Sequence, residues 1–265
     1  MEIQPISFIN SDHACRVCQQ PSGSLWTGTL IGHSVDYYEC PSCGYVQTES
    51  PYWLEQAYSS AINDSDAGIM KRNLYNRRII LGALHLLGET SSAVLDYAGG
   101  YGILVRLLRD DGVDAFWSDK FCKNLVAKGF EYTDKTVQLV TAFEAFEHFD
   151  QPMQELEKML AIAPNVLLST ELIKTPTPAH KDWWYYGKEH GQHIGFFREQ
   201  TLRNMAKSLD KHVVTDGKSF HLFSDEPISN RSWKLMLKLN KLYYFRLKQK
   251  LTSKTQSDFL NLSGQ

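Results

Sequence analysis

Four of the five cysteines fall within the first 43 residues, as Cys15-Arg-Val-Cys18 and Cys40-Pro-Ser-Cys43-Gly44. Two residues between thiolates let one tight turn present both sulfurs to one ion, and two such pairs read as a tetrahedral zinc site. Gly44 suits the positive-φ position that closes such a turn. Two buried disulfides, or four free thiols, are the alternatives. The N-terminal residues show no basic stretch followed by an apolar core, and no run of ~18 apolar residues occurs anywhere. A reducing, cytoplasmic setting is therefore expected, where clustered cysteines serve metals. Four thiolates leave no open coordination position, so the expected zinc is structural. Cys122 stands alone and reads as a small buried hydrophobe.

A second chemical feature is Val94-Leu-Asp96-Tyr-Ala-Gly99-Gly100-Tyr-Gly102. The run joins an apolar strand to an amphipathic helix, and glycines there admit a ligand close to the backbone. Nicotinamide dinucleotides and S-adenosylmethionine both use such loops. The dinucleotide frame from Gly100 places Val105 where a third glycine is wanted. Asp96 would repel a pyrophosphate but attract the methionine ammonium. Asp119 follows 23 residues later, at the expected end of the next strand. A carboxylate there can accept both ribose hydroxyls, though either acid can also serve as a turn cap.

Residues 94–102 resemble motif I of the class I S-adenosylmethionine-dependent methyltransferases, with Ala98 in place of the first glycine. Leu139-Val-Thr-Ala-Phe-Glu-Ala-Phe-Glu147-His148 resembles the fourth strand and turn of that family, and Val166–Thr170 its fifth strand. Gln192-His193-Ile-Gly-Phe-Phe197 resembles the His-containing segment before a late helix. The CxxC…CxxCG leader is similar to a subgroup that includes sugar and polysaccharide-biosynthesis methyltransferases. The resemblance spans residues 13 to 223. It implies a Rossmann-like fold, S-adenosylmethionine as cofactor, and a saccharide or related small-metabolite acceptor. Larger sugar C-methyltransferases carry a further C-terminal domain that 265 residues leave no room for, so O-methylation is the expected reaction.

Under that reading Gly99, Gly100 and Gly102 admit the cofactor. Asp96 holds its amino-acid end and Asp119 its ribose, while Phe143 and Glu144 line the pocket. Methyl transfer is a displacement that the protein aligns, with a base where the acceptor is a hydroxyl. His148 is the first candidate base and His193 the second, because imidazole titrates nearest neutrality. Glu147 orients His148 or contacts the acceptor. Trp183, Trp184, Tyr185 and Tyr186 are candidates for an aromatic acceptor wall.

Strands alternating with helices must position these groups. Apolar runs at 93–97, 115–117, near 130, at 137–142 and 165–170 read as strands, and 213–223 as the last ones. Residues 103–109, 123–128, 154–161 and 198–209 read as helices. Residues 53–88 are helical with a polar break at 63–66, and Gly88 ends the second helix. The fold class is α/β: a doubly wound Rossmann-like sheet with a small zinc-binding module and a C-terminal helical tail. The expected divisions are 1–50, 51–225 and 226–265. Ligands of such sheets bind beyond the carboxyl ends of the strands.

The net charge of −2 argues against a strongly basic nucleic-acid binder. Arg16 is the single Lys or Arg between residues 13 and 48, too few for a phosphate-binding surface. An RNA or protein methyltransferase, or a non-catalytic module that keeps zinc and cofactor, are the alternative readings. From Arg231 to Lys254 eight Lys or Arg stand without an acid, so the remainder of the chain carries −10. Interleaved Trp, Leu, Tyr and Phe make this tail amphipathic. It suits packing on the domain, an oligomer contact, RNA, or the inner, anionic surface of a membrane.

Overall fold

A computed structural model describes residues 13–58 and 66–264. The extreme N-terminus, on which the reading of the leader rests, and most of the polar break at 63–66 lie outside the described residues.

Six strands form the large sheet. They are β4 (Val94–Asp96), β5 (Ala115–Trp117), β6 (Leu139–Phe143), β7 (Asn165–Ser169), β9 (His212–Thr215) and β10 (Phe220–Ser224), in the order β5-β4-β6-β7-β10-β9. The first four run parallel, and β10 and β9 close the sheet antiparallel. The central strands are buried on both faces, which is why they read as short continuous apolar runs. The chain leaves β4 toward β5 on one side and returns to β6 on the other, so the switch point lies at the carboxyl ends of β4 and β6.

One face is covered by α2 (Ile69–Leu87) and α3 (Ile103–Asp111), the other by α4 (Pro152–Ile162) and α5 (Glu199–Ser208). The expected helix at 123–128 and strand near 130 do not form. Leu125 and Val126 both donate their N–H to the Tyr101 carbonyl, and Ala127 N–H goes to the Asn124 side chain. Those donors are thus lost to a helix ladder, and the strand shrinks to one bridge, Trp117 to Glu131.

A second sheet has the order β1-β2-β3-β8: β1 (Gly23–Leu30), β2 (His33–Glu39), β3 (Val46–Thr48) and β8 (Gly195–Phe196). Its first three strands surround the cysteines, while β8 arrives from the aromatic region after β7. A short helix, α1 (Leu54–Ala57), follows β3. The tail forms α6 (Asn230–Lys238), α7 (Asn240–Lys248) and α8 (Thr255–Ser263). Trp233, Met236, Tyr244 and Leu247 are buried in the core shared with α2 and α3.

Candidate functional site: a cleft at the switch point

A cleft of about 1190 Å³ opens beyond the carboxyl ends of β4 and β6. It holds Asp96 to Tyr101, Asp119, Phe143, Glu144, His148 and His193 in one wall system, although these residues span almost a hundred positions.

The glycine loop forms one end. Asp96 is buried, and Thr141 Oγ1 donates to its Oδ1 at 2.9 Å. Burial pushes its pKa up to about 7, against the Thr141 hydrogen bond and helped by nearby Asp119. Trp117 Nε1 donates to the Gly100 carbonyl at 2.9 Å and pins the loop. A Cβ on Gly99 would lie 2.6 Å from the Trp117 ring, so only glycine fits beneath it. Gly102 has φ +85°, and a Cβ there would sit 2.9 Å from Ala127 Cβ. Gly102 therefore starts α3 and packs on residues 124–127 rather than lining the cleft. Asp119 Oδ2 accepts from Gly100 N at 2.9 Å, and its Oδ1 accepts from Phe121 N and Cys122 N, both at 2.7 Å. It clamps two loops together. Its carboxylate keeps lone pairs for further donors.

The other end is built by the turn after β6. Glu144 adopts φ +50°, a left-handed conformation uncommon outside glycine. Ser169 holds it there, donating its hydroxyl to Glu144 Oε1 at 2.6 Å and accepting Glu144 N–H at 2.9 Å. Its carboxyl borders the cleft, and the close surroundings together with Glu147 push its pKa upward. A single 3₁₀ turn, Phe146–His148, then places Glu147 inward and His148 on the cleft.

Glu147 is fully buried. Tyr185 OH donates to its Oε1 at 2.5 Å, while Oε2 has no hydrogen-bond partner among the described residues. His148 Nε2 and His193 Nε2 each stand 3.9 Å from Glu147 Oε1. Tyr58 OH bonds His148 Nδ1 at 2.9 Å. His193 Nδ1 lies 2.6 Å from the Tyr185 carbonyl, so that nitrogen carries the hydrogen and Nε2 is the bare acceptor. Burial drives His148 well below the usual imidazole value, and lowers His193 and neighbouring His190 to about 4. Burial pushes Glu147 up to about 7.

Two of the four aromatic wall candidates face elsewhere. Tyr186 is fully buried in the small-sheet core with its OH on the Pro178 carbonyl, and Trp183 packs against Phe196. Tyr185 and Trp184 line the cleft, Trp184 72% exposed at its mouth. Sequence reasoning missed Tyr58. No spacing rule connects residues 58 and 148, so nothing in the chain signals that contact.

The four leader cysteines converge as expected. Their sulfurs all lie within 4.8 Å of one another, with Cys15–Cys43 at 3.5 Å and Cys18–Cys40 at 3.4 Å. These separations exceed a disulfide bond (about 2.05 Å). They approach the edge of a tetrahedron with ~2.3 Å metal–sulfur bonds, about 3.8 Å. Gly44 has φ +74° and donates its N–H to the Cys40 carbonyl, closing the second knuckle.

A Rossmann-like sheet with a glycine loop and an acid-lined cleft at its switch point defines an α/β domain of the ligand-binding, doubly wound class. Residues 71–215, more than half of the chain, match the family model described as a methyltransferase domain. The chain belongs to that methyltransferase-domain family. The match stops short of both the cysteine module and the tail. No curated protein matches the chain significantly. Among solved structures it is similar to TnmH (13% identity, TM-score 0.40), covering 66% of this chain and 62% of that one. It is also similar to OxaC in complex with SAH and oxaline (12%, TM-score 0.42; 57% and 47%). A third is magnesium protoporphyrin IX methyltransferase from Synechocystis PCC 6803 with bound SAH (14%, TM-score 0.39; 64% and 90%). The chain thus spans less than two thirds of the length of TnmH and OxaC.

Proposed function

We propose that the chain transfers the methyl group of S-adenosylmethionine to a hydroxyl of a saccharide or related small metabolite. One observation carries this reading: the glycine loop lines the same cleft as His148 and His193, which stand together with the buried Glu147. S-adenosylmethionine supplies a methyl carbon on a sulfonium sulfur. Asp96, a buried acid facing the cleft, suits the ammonium of its methionine end, and Asp119 suits the ribose. Gly99 and Gly100 shape the loop beside it, and Phe143 and Glu144 continue the wall. The acceptor hydroxyl loses its proton beside Glu147, His148 and His193, its oxygen attacks the methyl carbon, and the carbon–sulfur bond breaks. A cleft of this volume has room for cofactor and a small acceptor together. Trp184, exposed at the cleft mouth, supplies stacking surface for a sugar ring.

Cys15, Cys18, Cys40 and Cys43 fit a structural zinc ion in this reading, on the all-thiolate donor set and the sulfur separations. The outward face of the tail, with Leu235, Leu239, Leu242 and Phe245 exposed among basic residues, suits a peripheral contact with an anionic membrane surface.

The test is methyl transfer from labelled S-adenosylmethionine into metabolite and glycan fractions. His148→Ala should lower turnover by about 10²–10⁴-fold and leave cofactor affinity within about twofold. Full turnover in that variant removes His148 from the site.

A further inference from the structure

Glu147 Oε1, His148 Nε2 and His193 Nε2 face one another without bonding. Each histidine nitrogen stands 3.9 Å from the carboxylate oxygen, beyond the roughly 3.2 Å limit of a hydrogen bond. His193 Nε2 is an acceptor because its Nδ1 carries the hydrogen, and a carboxylate oxygen accepts as well. Lone pairs converging in a buried place call for a cation between them.

The separations suit one. One ligand atom from each of the three residues lies within 4.8 Å of those of the other two, so a point within about 2.8 Å of all three exists. A closure of roughly half an ångström reaches metal–nitrogen and metal–oxygen bond lengths of about 2.0–2.2 Å.

Each group also has its own outer partner. The Tyr185 carbonyl orients His193, Tyr58 OH orients His148, and Tyr185 OH orients Glu147. Ligating histidines characteristically give the second ring nitrogen to such a group, which sets the tautomer and the ring direction. Glu147 Oε2, fully buried and without a hydrogen-bond partner among the described residues, is a further free donor atom. Glu144 adds a carboxylate on the same cleft wall.

We propose that Glu147, His148 and His193 hold a divalent transition-metal ion, and that the acceptor hydroxyl occupies one of its open positions. Two imidazoles and one carboxylate suit a first-row divalent ion such as zinc, manganese or iron(II), and leave coordination sites for substrate. The inference rests on the methyl-transfer reading and deepens it, since an ion there lowers the pKa of a coordinated hydroxyl. The O–H bond breaks and the proton passes to water. The oxygen–carbon bond forms, the carbon–sulfur bond breaks, and the sulfur keeps that electron pair. The ion does not change oxidation state.

Cobalt(II) is the probe, because it reports on its own ligands by absorption. Full-length protein, stripped of metal and reloaded with cobalt, should bind two ions per chain. The first shows thiolate-to-cobalt charge transfer from the cysteine module, and the second shows ligand-field bands alone. His148→Ala/His193→Ala should lose the second ion and keep the first, whose thiolate band reports that the module is still folded. Tyr58→Phe, which removes only an outer partner, should weaken the second ion about 10–100-fold. One cobalt per chain in the wild type, or two in the double variant, overturns the inference. So does full methyl transfer by protein carrying only the thiolate-bound ion, and that result leaves the methyltransferase reading standing. A second cobalt ion that depends on the histidines, with no methyl transfer to any acceptor, confirms the ion site and breaks the acceptor reading instead.

Discussion

The two segments outside the methyltransferase match dock on opposite faces of the large sheet, and only one of them reaches the cleft. Strand residues show the division. Leu95, Val140, Val166 and Leu168 share a core with Cys15, Cys40, Cys43 and Tyr45, while Val94, Leu139 and Leu167 share one with Trp233, Met236, Tyr244 and Leu247. The cysteine module then continues into the site. Thr48 N donates to the Ile194 carbonyl, and Ile194 N donates to the Glu147 carbonyl, so β3 holds the backbone that directly follows His193 and that backbone holds the Glu147 turn. Arg198 adds a bond to the Gly44 carbonyl (2.5 Å) and an ion pair with Glu39 (2.7 Å). The tail makes no such connection, and among the described residues it lines no part of the cleft. The module is thus joined to the chemistry and the tail to the scaffold, although both lie outside the matched domain.

Breaking the module should give the largest effect. Cys43→Ser removes one thiolate from the proposed zinc site, and a structural zinc contributes on the order of 10 kcal/mol in comparable small modules. Metal content should fall, and turnover should fall with it, because β3 no longer fixes β8. A variant that loses zinc yet keeps turnover would break the comparison from the module's side.

Trp233→Ala tests the other side. A fully buried tryptophan in the tail should cost about 3–5 kcal/mol of stability in denaturant melts, with cofactor affinity unchanged in the surviving folded protein. A changed affinity would show that the tail reaches the site after all.

Asp258 sharpens the point. Its carboxylate takes a two-pronged pair from Arg109 (2.7 and 2.8 Å) and a third bond from Arg106 (2.8 Å), tying α8 to α3. Burial alone would raise its pKa, but those hydrogen bonds outweigh burial and hold it below the usual value. A depressed carboxyl stabilises the fold above its unfolded pKa of about 3.9 and loses that contribution as pH falls toward the folded value. Asp258→Asn should therefore be less stable than wild type by about 2–3 kcal/mol near pH 7. The gap should narrow below about pH 4, which urea melts at several pH values would show.

The smallest effect on the isolated protein belongs to the tail's outer face. Leu242→Glu/Phe245→Glu should move stability by no more than about 0.5 kcal/mol per site. It should reduce co-sedimentation with phosphatidylserine vesicles, and unchanged pelleting would remove the membrane contact.

Much of this was legible in the chain because it is local. Glycine at 44, glycine at 88 and the two-residue spacing inside each cysteine pair determine turns whatever surrounds them. The apolar runs became buried strands because a parallel sheet hides both faces. The segment 123–128 failed because its helix donors found better partners on Tyr101 and Asn124. The aromatic cluster divided between the cleft and the small-sheet core because a loop's side chains follow its path, which no periodicity records.

The sequence alone determined the α/β class, the converging cysteines and the glycine loop, since turns and periodicity depend on neighbours a few residues apart. Tertiary structure alone decided that β8 joins the cysteine module's sheet, and that Gly102 packs on 124–127 instead of facing the cleft. It also decided that Tyr58 and Tyr185 orient a carboxylate and two histidines around one point. Those relations join residues up to about 150 positions apart, and only close packing of the folded core places them within bonding distance.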